Sequence, residues 1–265
     1  MSNYEKSFRT EFSFKRRGLE DPGVFTFFQM EDRVMPEEFS GFPKECVQFF
    51  SELSENNNKP WFEKHRDEYE NHVLAPAREF IVALGKRLQK IAPKVNADPR
   101  PNKSLFRIHR DTRFSKDKSP YKTHLSILLW EGSAPRMECS CYYFHLEPPN
   151  LMLGVGIYEF PKHLLEAYRA SVVHSTHGKQ LAQAAKKVTQ SEEFTLGGRV
   201  FKKTPRGFDA DHPNAEFLLF NGLHAGATTK IPKELHSSAL VDYCFERYKK
   251  MDPLHKWLVE LTTRV

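Results

Sequence analysis

A succession of strand-like runs in the middle of the chain, 104–111, 123–130, 139–147 and 151–158, constrains the fold more than any other feature. In the third run Tyr143, His145 and Glu147 fall on one face of an extended segment, and Tyr142, Phe144 and Leu146 on the other. The two faces are chemically distinct. Such alternation suits an antiparallel sheet with partly covered faces, and amphipathic helices on both sides supply the cover. The expected fold class is therefore α+β, a mainly antiparallel sheet covered by several helices. In the fourth run Gly154 and Gly156 share a face and permit close backbone or ligand approach.

The helical blocks follow from spacing. Val47, Phe50 and Leu53 suit one face of a short helix ending near Asn56. Asn58 is a cap for the next helix, with Pro60 in its first turn, and Trp61, His65 and Tyr69 form a stripe along it. Pro76 is expected to bend or divide this helix before Phe80, Leu84 and Leu88 continue the apolar face. Further helices are expected from Pro161 to Val173, from Gly178 to Thr189, and over about 232–249 and 252–263. The chain has 265 residues, enough for a full core, and 41–265 reads as one α+β domain. Residues 1–40 read as an N-terminal extension, whose Ser13–Gly18 basic run is a candidate anion contact and whose Phe25, Phe27 and Phe28 are a candidate contact for a protein partner.

Residues 103–124, spanning the first run and the link to the second, carry the densest charge. Lys103, Arg107, Arg110, Arg113, Lys116, Lys118 and Lys122 are answered within 103–124 only by Asp111 and Asp117, with His109 and His124 able to join them at low pH. The arrangement reads as strand, basic loop, strand, with Phe106 and Ile108 on one face of the first strand and Arg107 and His109 on the other. A formal charge of +6 and a pI near 9.0 extend that field to the whole chain and favour anionic partners, nucleic acid included. No apolar run reaches the ~20 residues that cross a bilayer. With a mean hydropathy of -0.60 and no apolar leader, the chain is expected to be cytoplasmic.

Other residue groups are less specific. Cys46, Cys139, Cys141 and Cys244 lack paired metal spacing and are expected as core or half-buried thiols. Asp209, Asp211 and His212 carry suitable metal donors, but their short spacing favours a capped loop, and no metal or cofactor is assigned.

Five landmarks stand in order along the chain: FFSELSENNNKPWFEKHRDEYE at 49–70, KSLFRIHRDTRFSKDKSPYKTH at 103–124, YYFHLEP at 142–148, GVGIYEF at 154–160 and PRGFDADHP at 205–213. With them the chain resembles the uncharacterised microbial and fungal family catalogued as domain of unknown function 2461, over about residues 42–263. The resemblance implies a mixed α+β domain and carries no established activity or catalytic set. Matching motif positions include Asn57, Trp61, Arg107, Arg110, Arg113, Tyr121, Lys122, His145, Glu147 and Arg206. His109 departs from it, standing where the family commonly shows tyrosine.

Three functions compete on these residues. The leading one is binding of a phosphate-bearing or other anionic ligand, nucleic acid included, by Arg107, Arg110, Arg113, Lys118, Lys122 and Arg206, with Tyr121 positioning or stacking on it. The second is a phosphate-directed hydrolase or transferase, with His145 as acid or base and Glu147 tuning it. The third is a protein-interaction module.

Overall fold

The computed structural model of the protein describes residues 38–264. Of the expected extension only 38–40 falls within that range; its Ser13–Gly18 run and Phe25, Phe27 and Phe28 lie outside the described residues. Phe39 is buried, its ring centroid 5.6 Å from that of Phe42 and 5.1 Å from that of Phe80.

Among the described residues six strands form one sheet: β1 (Val95–Asn96), β2 (Leu125–Glu131), β3 (Ser140–Glu147), β4 (Asn150–Ile157), β5 (Thr195–Arg199) and β6 (Phe220–Lys230). Their order is β1-β2-β3-β4-β6-β5, and every neighbouring pair is antiparallel. Packed against it are α1 (Lys44–Glu55), α2 (Lys59–Lys64), α3 (Ala75–Leu88), α4 (Lys162–Val173), α5 (His177–Thr189) and α6 (Ala239–Thr262). The α+β class read from the alternation is the observed one.

Register sorts the two faces. Ile127, Phe144, Leu153 and Ala227 stand opposite one another in a row across four strands; the first three belong to the core and Ala227, partly buried, packs against it. Phe80 of α3 meets Phe144 there at 5.0 Å between ring centroids. The next row, Ser126, His145, Met152 and Thr228, points to the other side. A polar cluster therefore grows on the face away from the main core.

α6 ties the sheet together at its other end. His255, 0% exposed, bonds Ser140 Oγ through Nδ1 at 2.9 Å and Glu131 Oε2 through Nε2 at 2.9 Å. Serine, imidazole and carboxylate in contact suggest a nucleophile, but Ser140 is also 0% exposed. The trio is a cross-link between α6, β2 and β3. It also accounts for a difference from the sequence pattern, which broke the C-terminal helix near 250. The helix runs unbroken through Pro253, because Tyr248, Met251, Leu254, His255 and Leu258 are all buried along it. That burial outweighs the ~3 kcal/mol cost of an internal proline.

Two other expectations are corrected, and two strands went unread in the sequence. The run 104–111 makes bridges instead of a ladder: Leu105 opposes Ile127, and His109 opposes Tyr121. The segment starts along β2 and then pairs with its own return limb, Lys122 N–H donating to Ile108 O at 2.8 Å. Phe106 and Ile108 are thereby parted, Ile108 joining the core and Phe106 lying edge-on to Tyr143. The break expected at Pro76 falls one turn earlier, as a π-helical turn at Tyr69–Leu74. β6, the longest strand, has weak strand propensity because of Gly222, Ala225 and Gly226, and β5 begins in a stretch that looks like a polar loop. Those glycines have a packing cause: a Cβ on Gly222 would collide with Tyr158 O, and one on Gly226 would come within 2.9 Å of Leu153 O.

Candidate functional site

The site is built on the polar row. His145 leaves β3 with its side chain 6% exposed, and its two ring nitrogens have different surroundings. Nδ1 faces inward, 3.1 Å from Ser126 Oγ and 3.1 Å from Tyr143 Oη, and the Tyr143 hydroxyl donates to Ser126 Oγ at 3.1 Å. Nε2 faces Glu147 Oε2 at 3.6 Å, where the glutamate side chain is 45% exposed. His124, just before β2, packs its ring 4.3 Å from that of His145. One ligand atom from each of His124, His145 and Glu147 lies within 4.8 Å of the others. An imidazole held by hydroxyls at one nitrogen and facing a half-exposed carboxylate at the other can bind an anion as a donor, hold a metal as a base, or pass a proton.

Tyr143 extends this cluster toward the basic segment. Its ring meets that of Phe106 edge-on at 6.5 Å, while Lys122 Nζ lies 5.1 Å and the Arg136 guanidinium 4.6 Å from the Phe106 centroid. The basic loop thus reaches the His145 cluster through its return limb.

Asn57 fixes that limb. Its side-chain amide accepts from Tyr121 N–H at 3.0 Å and donates to Tyr121 O at 2.9 Å. The Tyr121 ring is buried and stacks on Phe62 at 4.2 Å, so its role in the fold is packing. Asn58 caps α2 as its position suggested, accepting from Trp61 N–H at 3.0 Å.

The remaining basic residues are spread out. Arg110 bridges to Asp117 at 2.5 Å and donates to Ser119 O at 3.1 Å, tying the loop to itself. Arg113 grips Asp111 at 2.8 Å and Lys118 donates to Thr112 O at 2.9 Å. Hydrogen bonds from Ser119 and Arg110 hold the Asp117 carboxyl down to about 2, and those from Arg113 do the same for Asp111. Arg107 and Arg206 are exposed, the latter in a different loop. Burial, reinforced by Arg107, shifts the His109 imidazole below its ordinary range. In the 209–212 loop Asp209 accepts the Asp211 N–H at 2.9 Å and His212 Nδ1 the Asn214 N–H at 3.0 Å, a capped turn. All four cysteines are buried free thiols, and burial pushes Cys141 up to about 12.

His145 and Glu147 were visible as candidates in the strand alternation. Tyr143 was placed on their face without a role, and Ser126 and Arg136 were not singled out. The signal for Ser126 is its spacing of two from His124 at the start of a strand that pairs with β3. A surface depression lined by Val47, Ser51, Pro148, Pro149 and Lys230 lies at this end of the sheet, but none of the three convergent residues lines it.

No curated protein and no solved structure matches the chain. The family described as "Conserved hypothetical protein (DUF2461)" matches residues 45–257, which include His124, His145, Glu147 and the basic segment; the chain belongs to that family.

Proposed function

We propose that the protein binds a phosphate-bearing or other small anionic ligand at the edge that carries Lys122, His124 and His145. The observation that carries this reading is the position of Phe106. Two cations, Lys122 and Arg136, flank its ring, and the ring abuts Tyr143, which is hydrogen-bonded to His145. Positive charge is thereby held two aromatic rings, Phe106 and Tyr143, away from an oriented imidazole. Arg107, adjacent to Phe106 in the chain, strengthens the same field, and Arg110, Arg113, Lys118 and Arg206 contribute at longer range, where salt screens them.

A phosphate-directed hydrolase or transferase is the second reading. It is favoured by the 3.6 Å approach of Glu147 to His145 Nε2, which orients the imidazole for proton transfer. Nucleic acid is a polymeric ligand of the same charge, distinguished by a steep fall of affinity with salt.

The test is calorimetric titration of the full chain with inorganic phosphate, a phosphomonoester and single-stranded RNA. Lys122→Met is expected to weaken phosphate binding about tenfold, the worth of one charged hydrogen bond. Unchanged affinity in this variant contradicts binding at this edge.

A further inference from the structure

We propose that His124, His145 and Glu147 form a binding site for a first-row divalent transition metal ion. The site is shared with the anion binding proposed above, but the inference does not depend on it. Two imidazoles and one carboxylate are the donor set of borderline ions such as Zn²⁺ and Co²⁺, whereas Mg²⁺ and Ca²⁺ prefer oxygen.

The geometry is close to that of a formed site. Metal–ligand bonds of about 2.1 Å place two donors of a tetrahedral ion roughly 3.4 Å apart. His145 Nε2 and Glu147 Oε2 are already at 3.6 Å, and all three donor atoms lie within 4.8 Å. The remaining closure, at most about 1.4 Å, falls on the movable members, since Glu147 is half-exposed and His124 precedes the strand.

His145 is the fixed member, and its support is that of a metal ligand. With Nδ1–H donating to Ser126 Oγ or Tyr143 Oη, the tautomer leaves the Nε2 lone pair directed at the metal position. Three protein ligands leave a fourth position open, and an anion oxygen could complete the coordination there.

The experiment uses the full chain, stripped with chelator and titrated with Co²⁺ and Zn²⁺ in the absence of phosphate. Calorimetry gives stoichiometry, and the visible d–d bands of Co²⁺ report its donors. One ion per chain is expected, with affinity lowered about tenfold or more in Glu147→Gln and in His124→Ala. Both positions are partly exposed, so these variants are expected to fold, as circular dichroism would check. Ser126→Ala is expected to weaken binding by about 10- to 100-fold through loss of orientation. His174→Ala, at a stacked histidine pair elsewhere in the protein, is expected to leave it unchanged. Absence of saturable Co²⁺ or Zn²⁺ binding overturns the inference, as does binding that survives in both Glu147→Gln and His124→Ala or is lost in His174→Ala. Metal binding without phosphate binding would leave this site standing and remove the anion reading alone.

Discussion

His145 Nε2 lies 3.6 Å from Glu147 Oε2, although the two residues are separated by one position on the same face of β3. The contact is possible because Glu147 ends the strand, where its half-exposed side chain can turn back toward the imidazole. The buried hydroxyls on one side and the half-exposed carboxylate on the other give His145 a fixed direction.

That fixation is testable at Ser126. Ser126→Ala removes a buried hydroxyl bonded to both His145 and Tyr143, and unfolding in urea is expected to show a loss of about 1–3 kcal/mol. An unchanged midpoint would mean that the hydroxyl does not hold the ring.

Asn57 offers a second test, remote in sequence. Its amide closes two hydrogen bonds on the backbone of Tyr121, so Asn57→Ala is expected to cost about 2 kcal/mol and to loosen the limb carrying Lys122. Hydrogen exchange at the Lys122 amide, which donates to Ile108 O, reports that loosening directly. Exchange as slow as in the parent protein would contradict it.

Glu131 sets an acid limit on stability. The hydrogen bond from His255, followed in strength by burial, which opposes it, leaves the carboxyl below its ordinary range. A depressed carboxyl contributes stability that is complete above the unfolded value of about 4.3 and is lost as pH falls through the lower folded value. Glu131→Gln is therefore expected to lower stability at neutral pH by about 2 kcal/mol and to flatten the acid limb below about pH 4. An acid limb identical to that of the parent would exclude this pair as its source.

Gly156 tests the close approach of β4 and β6. Its φ is 132°, and an added Cβ would collide with Leu223 O and lie 2.6 Å from His224 Cα. Gly156→Ala is expected to destabilise by more than about 3 kcal/mol, detectable as a lowered thermal midpoint or loss of soluble protein. A midpoint within a few degrees of the parent would contradict the packing.

These positions also indicate what the sequence could reveal. The sorting of Tyr143, His145 and Glu147 from Tyr142, Phe144 and Leu146 was legible because strand geometry alternates faces whatever the partner strand. The glycines of β4 were legible as sites of close approach, but the strand approaching them was not. β6 carries its own glycines for the same contact, which erases its strand signal. The basic segment was legible as charge, but its folding was not. Sequence proximity could not say that Arg110, Arg113 and Lys118 are engaged within the loop while Lys122 reaches Phe106. Arg136 enters the site only through tertiary contact.

The most direct measurement is the long-range proton–nitrogen NMR spectrum of the histidine rings during titration with inorganic phosphate. Binding at this edge predicts saturable shifts of the His145 and His124 ring nitrogens, weakened in Lys122→Met. Shifts confined to other histidines, or none at millimolar phosphate, would contradict it.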